Sequence, residues 1–358
     1  MTGKERFLTA MNHQQPDQIP LFDFLFMQDL FKEVIGHRPE VYNAEDAVNC
    51  SFKLGMDSVW IPSDGFAGYA PKVLGDGIYQ DEWGTTYQKN DSSWPIDAPI
   101  EYPVKTWEDF KNWTCPNPHD LHRIKSLKEA ILLADNQIAV LGGVLGPFTT
   151  LFFLMGLEDA CFCSVDEPEL FHAIMRTATD YNIAAGLHLI EAGADAIIIS
   201  EDLGYNSGTF LSPDNMRTFI LPYLKEMTAA FKKAGTKIML HCDGNIGAIL
   251  PDVVHSGIDA WQPLERKGSN DLKYVKETYG KIITPVGNVD SSTVLPFGSK
   301  EDVIRQTLEC IEVAGPDGGY ILGSDHSLHD GIPVSNILTM IETVKKYGKY
   351  PLCLPKND

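Results

Sequence analysis

The sequence predicts an α/β protein: a single (β/α)₈ TIM barrel of residues 1–358 with a β-hairpin inserted after the second strand. Short apolar runs alternate with longer segments of helical periodicity, which is typical of parallel βα units. Eight such runs are present, the number that a closed barrel needs. They are residues 19–25, 57–61, 137–144, 196–200, 237–242, 259–264, 281–286 and 319–323.

Helix boundaries between these runs are marked by proline at the start and by glycine or basic residues at the end. Three helices are predicted on this basis: 168–193, 213–233 and 333–346. Residues 71–113 interrupt the alternation with turn-forming and aromatic residues. We predict that they form the inserted β-hairpin and a loop, on the face where such insertions shape substrate pockets.

Composition narrows the classes of partner. The chain is 44% apolar, so a large core can be buried. No apolar run approaches the ~20 residues of a membrane span, and the N-terminus has no signal-peptide core, so a cytoplasmic protein is expected. With 29 basic and 49 acidic residues, the net charge is −20. Such a surface repels nucleic acids and anionic membranes, and neither is an expected partner.

In a barrel of this type, functional side chains stand where each strand meets the loop that follows it. The polar residues at those places are mostly acids and imidazoles, and they include two amides: Asp23, Asp64, Glu201, Asp202, His241, Asp243, Gln262, Glu265, Asn288, Asp290, Asp325 and His326. A ring of carboxylates repels itself unless the acids are protonated or a cation neutralises them. The pattern therefore predicts a bound divalent cation.

Imidazoles combined with carboxylates suit Zn²⁺ with one open position for substrate. The candidate ligands are His241, Glu201, Asp243 and His326. His241 and Asp243 lie two residues apart and point the same way on an extended backbone, with the intervening cysteine on the opposite side. Alternatives for the fourth ligand are Cys242, Glu265 and Asp290. The competing interpretation is a hydrogen-bonded core histidine surrounded by solvated loop acids.

Several segments together resemble the uroporphyrinogen decarboxylase superfamily across essentially the whole chain. They are residues 4–10, 16–20, 143–148, 193–196, 287–290 and 319–333. The resemblance implies a barrel and active-site roles for Asp64 and His326, alongside the catalytic candidates Glu201 and His241. The decarboxylases of this superfamily carry an arginine-bearing segment after strand 1, where residues 26–32 here have no arginine. A substrate with eight carboxylates would be poorly stabilised without arginine, which argues against decarboxylation.

Residues 241–245, HCDGN, resemble the His-x-Cys-Gly-Asn pattern of the coenzyme M methyltransferases. Asp243 stands in place of the ligand cysteine, and the strand-8 cysteine is replaced in the region of Ser324 to His326. This oxygen-rich set looks like the methyltransferase I component of O-demethylase systems. The resemblance implies a zinc-dependent methyltransferase that moves a methyl group from a methoxylated aromatic, a phenyl methyl ether, to a Co(I) corrinoid (cobalamin).

No corrinoid-binding Asp-x-His-x-x-Gly signature occurs in the chain, so a corrinoid protein is the expected partner. The candidates for a ring-binding pocket are Phe24, Phe26, Trp60, Phe66, Tyr69, Phe148, Phe152, Tyr205 and Trp261. One alternative is the same mechanism with a thiol, a methylamine-derived methyl group or tetrahydrofolate as donor or acceptor. Another is a metal-free decarboxylase-like lyase or a non-catalytic binding barrel.

Overall fold

The structure, a computed structural model, describes residues 1–63, 71–90 and 94–355. The strands are β1 (Ser58–Pro62), β2 (Lys72–Gly75), β3 (Ile78–Gln80), β4 (Thr86–Gln88), β5 (Ala98–Glu101), β6 (Ala139–Leu145), β7 (Ala196–Ser200), β8 (Gly204–Tyr205), β9 (Gly208–Thr209), β10 (Lys237–His241), β11 (Ala260–Gln262) and β12 (Thr284–Pro285). The helices are α1 (Gly3–Met11), α2 (Gln28–Ile35), α3 (Ala44–Leu54), α4 (Trp107–Asn112), α5 (Lys125–Ala134), α6 (Pro147–Met155), α7 (Leu157–Asp166), α8 (Pro168–Glu191), α9 (Pro213–Asn215), α10 (Leu221–Lys233), α11 (Leu250–Val254), α12 (Leu272–Tyr279), α13 (Val294–Phe297), α14 (Lys300–Ala314) and α15 (Val334–Tyr347).

A six-stranded parallel sheet, in the order β1-β6-β7-β10-β11-β12, carries the core of the described residues. Its central strands are buried along almost their whole length, as strands covered on both faces must be. Single parallel bridges join Leu21 to Leu322 and Val286 to Ile321. The backbone N–H of Asp57 donates to the carbonyl oxygen of Leu21 at 3.0 Å. These contacts link the first and eighth predicted runs to both edges of the sheet, which makes the arrangement barrel-like.

The regular strands differ in length from the predicted runs. The run at 196–200 coincides with β7, whereas the run at 281–286 shortens to the two residues of β12. The first and eighth runs contribute isolated bridges instead of ladders. Proline has no N–H to donate to a ladder, and Pro20 and Pro285 fall within two of the affected runs.

Two of the three predicted helices match α8 and α15 to within two residues. The helix predicted over 213–233 is instead interrupted. After α9, residues Met216–Ile220 form a π-helical turn, and α10 begins at Leu221. Pro222 lacks the N–H that a continuous α-helix would use, which accounts for the interruption.

The insertion after β1 is larger than the predicted hairpin. Strands β2, β3, β4 and β5 form a four-stranded antiparallel sheet in chain order. Each strand has only three or four residues, too few for a clear alternating pattern in the sequence. The predicted single hairpin is therefore corrected to a four-stranded sheet, whose strands are too short to show a periodicity in the sequence.

A buried ion pair fastens this insertion to the helical layer. The guanidinium of Arg123 donates to both carboxylate oxygens of Glu82, at 2.6 and 2.7 Å. The Arg123 side chain is only 1% exposed. Beside it, the ring of Trp83 meets the ring of Tyr181 on α8 edge-on, with centroids 4.4 Å apart. The insertion is therefore held by both charge and aromatic packing.

Within the described residues, no single helix has the length and apolar character of a membrane span. Helices α6 and α7 have that length and apolar character only when taken together, and the chain bends by 103° between them.

Replacing Glu82 with alanine should destabilise the protein by about 3–5 kcal/mol, because it removes the carboxylate from a buried ion pair. The measurement is the free energy of unfolding in denaturant. Glu312→Ala, at an exposed position on α14, is the matched control and should change this free energy little. Equal stabilities for the two variants would contradict the anchoring role of the pair.

Candidate metal centre

Three neighbouring strands deliver polar side chains to one end of the parallel sheet. His241 at the end of β10 is level with Ser200 of β7 on one side and with Gln262 of β11 on the other. Asp202 follows β7 directly, and Asp243 follows β10. Because parallel strands end at the same edge of the sheet, the side chains at these carboxyl ends converge.

Asp202, His241 and Asp243 form a compact group. One ligand atom from each residue lies within 4.8 Å of those from the other two. The Oδ1 atoms of Asp202 and Asp243 are both buried and have no hydrogen-bond partner. Buried polar atoms are almost always hydrogen-bonded, so two buried carboxylate oxygens without a partner in one group are suited to a cation.

The electrostatics of the two acids are opposed. Burial, followed by the charge of Asp243, raises the pKa of Asp202 above its usual range. Burial also raises the pKa of Asp243, but the imidazoles of His241 and His326 lower it more, so its pKa lies below its usual range. Asp243 is therefore kept ionised, whereas Asp202, whose pKa is raised to about 6, takes up a proton more readily as the pH falls.

The protonation of His241 follows from its partner. Its Nδ1 hydrogen-bonds to Oε1 of Gln262, an atom that can only accept. Nδ1 therefore carries a proton, and in the neutral form of the imidazole Nε2 presents its lone pair. Nε2 lies 3.6 Å from Oδ2 of Asp243, so it is directed at that carboxylate. An imidazole held in this way by a second residue is the usual arrangement of a metal-binding histidine.

His326 reaches the group through Asp243. Its Nε2 lies 3.0 Å from Oδ2 of Asp243. Burial lowers the pKa of His326, but its hydrogen bond to Asp243 and the charge of that acid raise the pKa more, to about 9. His326 therefore contacts Asp243 but does not belong to the compact group of Asp202, His241 and Asp243.

Glu201, a predicted ligand, lies elsewhere. Its carboxylate is fully buried and accepts the backbone N–H groups of Phe148 at 3.0 Å and Thr149 at 2.9 Å, in the first turn of α6. Burial raises the pKa of Glu201 to about 8. Successive side chains point to opposite sides of an extended chain, so only one of Glu201 and Asp202 can face the group. Both stand at the end of β7 in the sequence, and the structure brings Asp202 to the group.

The remaining candidates are also placed, except Asp64, which lies outside the described residues together with Phe66 and Tyr69. Cys242 is fully buried, and its thiol donates to the backbone carbonyl oxygen of Asp243 at 3.5 Å. Oε2 of Glu265 accepts the backbone N–H of Gly244 at 2.8 Å. Asp290 accepts the backbone N–H groups of Ser292 and Thr293. Each of these alternative ligands is therefore engaged or directed elsewhere.

An aromatic wall stands beside the group. The ring of Phe24 meets the ring of His241 edge-on, with centroids 5.0 Å apart. Phe24 also contacts Trp60 edge-on at 5.0 Å and stacks on Phe26 at 5.2 Å. Three of the nine aromatic residues predicted for a ring-binding pocket thus lie together and next to the histidine.

Comparison with known proteins places the chain in a family. The profile described as uroporphyrinogen decarboxylase (URO-D) matches residues 95–347. The chain belongs to the uroporphyrinogen decarboxylase family. This finding agrees with the resemblance read from the sequence motifs and with the barrel-like arrangement of the strands.

Relatives of this URO-D family member include enzymes with other names. Methylated-thiol–coenzyme M methyltransferase of Methanosarcina mazei is 25% identical over 241 residues, which is 67% of this chain and 61% of that protein, under two thirds of its length. Methylcobamide:CoM methyltransferase MtaA of Methanosarcina barkeri is 26% identical over 362 residues, 97% of this chain and 98% of that protein. A solved structure of a methyltransferase from Methanosarcina mazei superposes with a TM-score of 0.75 at 22% identity, covering 97% of this chain and 99% of that one.

We expect the tag-free protein to bind about one divalent ion per chain, and His241→Ala or Asp202→Asn to remove most of it by taking away a donor atom. Metal content by plasma mass spectrometry after dialysis against Zn²⁺ and removal of excess is the measurement. His255→Ala, at an exposed histidine that directly follows α11, is the control. Full occupancy in either site variant would refute the assignment of that residue.

Proposed function

We propose that this chain is a methyltransferase that moves a methyl group between a small molecule and a corrinoid carried by a partner protein. The transfer would take place at a divalent cation held by Asp202, His241 and Asp243. The observation that carries the proposal is the pair of buried carboxylate oxygens without hydrogen bonds, beside an imidazole that Gln262 orients. The relatives named for methylcobamide and for methylated thiols support the methyl-transfer part.

Zn²⁺ is the ion that this ligand set fits best. One imidazole nitrogen and two carboxylate oxygens are donors that zinc accepts, and three protein ligands leave a fourth position for substrate. When bound, such an ion acts as a Lewis acid that stabilises negative charge on the atom that gives up or receives the methyl group. Gln262 holds the imidazole of His241 in the binding tautomer, and the wall of Phe24, Phe26 and Trp60 keeps water from one side.

A thiol is the favoured small molecule. The names of both relatives refer to coenzyme M, and one of them also to a methylated thiol. In the segment that resembles those enzymes, Asp243 replaces the ligand cysteine, and Cys242 is buried. Because none of Asp202, His241 and Asp243 is a cysteine, a substrate thiolate would not compete with a protein thiolate among these three ligands for the ion.

A methoxylated aromatic compound is the second candidate, on the strength of the aromatic wall. Phe24, Phe26 and Trp60 lie within 5.0–5.5 Å of one another, and Phe26 is half-buried while the other two are buried, so a substrate ring would pack mainly against Phe26. A phenyl methyl ether bound there would place its oxygen next to the imidazole of His241. The phenolate that leaves would take the electron pair of the broken carbon–oxygen bond, and positive charge at the site would stabilise it.

The pairing of the arginine side chains within the protein argues against decarboxylation of a substrate rich in carboxylates. All seven arginines of the chain already contact carboxylates of the protein itself: Arg6, Arg38, Arg123, Arg176, Arg217, Arg266 and Arg305. Binding many carboxylates requires unengaged guanidinium groups. The candidate site instead adds carboxylates of its own, which would repel such a substrate.

The deciding experiment follows methyl transfer by the absorption change of the corrinoid. The metal-loaded protein is mixed with methylcobalamin and thiols including coenzyme M, and separately with Co(I) cobalamin and methoxylated aromatics. Demethylation of methylcobalamin by a thiol would support the first candidate, and methylation of Co(I) by an aryl ether the second. Asp243→Asn should lose either activity, whereas Asp180→Asn, at an exposed site on α8, should keep it.

Metal-loaded protein that transfers no methyl group with either class of compound, on free cobalamin or on a corrinoid protein, would refute the proposed function. If the protein bound metal but transferred no methyl group, Asp202, His241 and Asp243 would form a cation site without the proposed activity.

A further inference from the structure

The loops that follow β7, β10 and β11 pack backbone against backbone beside the metal group. A Cβ atom placed on Gly244 would lie 2.6 Å from the carbonyl carbon of Gly204. A Cβ atom on Gly268 would lie 2.5 Å from the carbonyl carbon of Gly244. Side chains are therefore excluded at both contacts, and only glycine permits so close an approach. We call Gly204, Gly244 and Gly268 the glycine stack.

Polar contacts hold the middle residue of this stack from both sides. The N–H of Gly244 donates to Oε2 of Glu265 at 2.8 Å, and its carbonyl oxygen accepts Nδ2–H of Asn270 at 2.8 Å. Asn270 also donates to the carbonyl oxygen of Glu265 at 3.0 Å. On the other side, the N–H of Asn245 donates to the carbonyl oxygen of Tyr205 at 2.8 Å. The three loops are thus tied into one unit.

This unit adjoins both carboxylates of the candidate metal group. Asp243 immediately precedes Gly244, and Asp202 lies two residues before Gly204. The two carboxylates repel each other, and that repulsion acts to push their loops apart when no cation lies between them. The ties at Gly244 oppose this separation, so the spacing of the carboxylates depends on contacts that touch neither of them.

We propose that Glu265, Asn270 and the glycine stack are positioning elements that hold Asp202 and Asp243 at the separation a divalent cation requires. This inference rests on the proposed function only in taking the group as a cation site. Glu265, an alternative ligand in the sequence, thereby acts through the backbone of Gly244 instead of binding the ion. A merely structural role would lower the stability of the metal-free protein without changing its affinity for metal.

The test compares Co²⁺ binding, followed by visible absorption, in matched pairs of variants. Glu265→Ala removes the acceptor for the N–H of Gly244, whereas Glu265→Gln keeps an oxygen there. Gly268→Ala forces the stack apart, because the φ angle of Gly268 permits alanine and only the close approach to Gly244 opposes it. Gly208→Ala is its control, since a Cβ atom at Gly208 has no neighbour within 4 Å. Glu277→Ala, an exposed acid on α12, is the control for Glu265.

We expect Glu265→Ala and Gly268→Ala to weaken Co²⁺ affinity by about 10- to 100-fold and to alter the absorption bands. Glu265→Gln, Gly208→Ala and Glu277→Ala should bind as the wild type does. Wild-type affinity and spectrum in both Glu265→Ala and Gly268→Ala would overturn the inference.

If Gly268→Ala fails to fold, Asn270→Ala carries the same test, because it removes one donor and adds no steric contact. A wild-type protein that binds no cation would instead refute the metal site, and the inference would fall with it. The two failures are therefore distinguishable by the wild-type measurement alone.

Discussion

The repulsion between the carboxylates of Asp202 and Asp243 is the constraint on which the rest of the site depends. Two unit charges within 4.8 Å of each other interact by at least about 3.5 kcal/mol at an effective dielectric constant of about 20. The fold relieves this cost only in part, because His326 hydrogen-bonds to Oδ2 of Asp243 while one buried oxygen of each acid has no hydrogen bond. The charges of His241 and His326 act on both acids and favour their ionised forms. A divalent cation is the species that would relieve both acids at once.

The parallel sheet explains why such an arrangement can persist without a ligand. Adjacent strand ends bring His241 level with Gln262, and the hydrogen bond between them fixes the imidazole before any ion arrives. The loops beyond the strands pack so closely that they admit only glycine. A site that is organised in advance loses little conformational freedom on binding. The relief of the repulsion between Asp202 and Asp243 can therefore contribute to the affinity for the cation. Close packing of the loops should therefore increase the affinity of the site for metal.

The sequence predicts the position of a site residue well where its spacing allows only one arrangement of the side chains. The two-residue spacing of His241 and Asp243 on an extended strand determines that they share a side and that Cys242 does not. The choice between Glu201 and Asp202 has two outcomes, because either could face the group after β7. What decides it is the first turn of α6, whose free N–H groups bind the carboxylate of Glu201, and that contact joins residues more than fifty positions apart. Gly204, Gly244 and Gly268 are likewise unremarkable in the sequence until their loops meet.

The replacement of cysteine by Asp243 leaves the electrostatics of the site intact while changing its chemical character. Two carboxylates and a neutral imidazole carry a formal charge of about −2, which a divalent ion cancels, as two thiolates and an imidazole would. Zinc accepts oxygen or sulfur as its next ligand, so the ion by itself does not discriminate between a thiol and an aryl ether. Discrimination then falls to the surface beside the ion. Phe24 touches the imidazole but is buried, and Phe26 beside it is half-buried, so under the proposed function the accessible part of this aromatic wall, more than the metal, should determine which methylated compound is accepted.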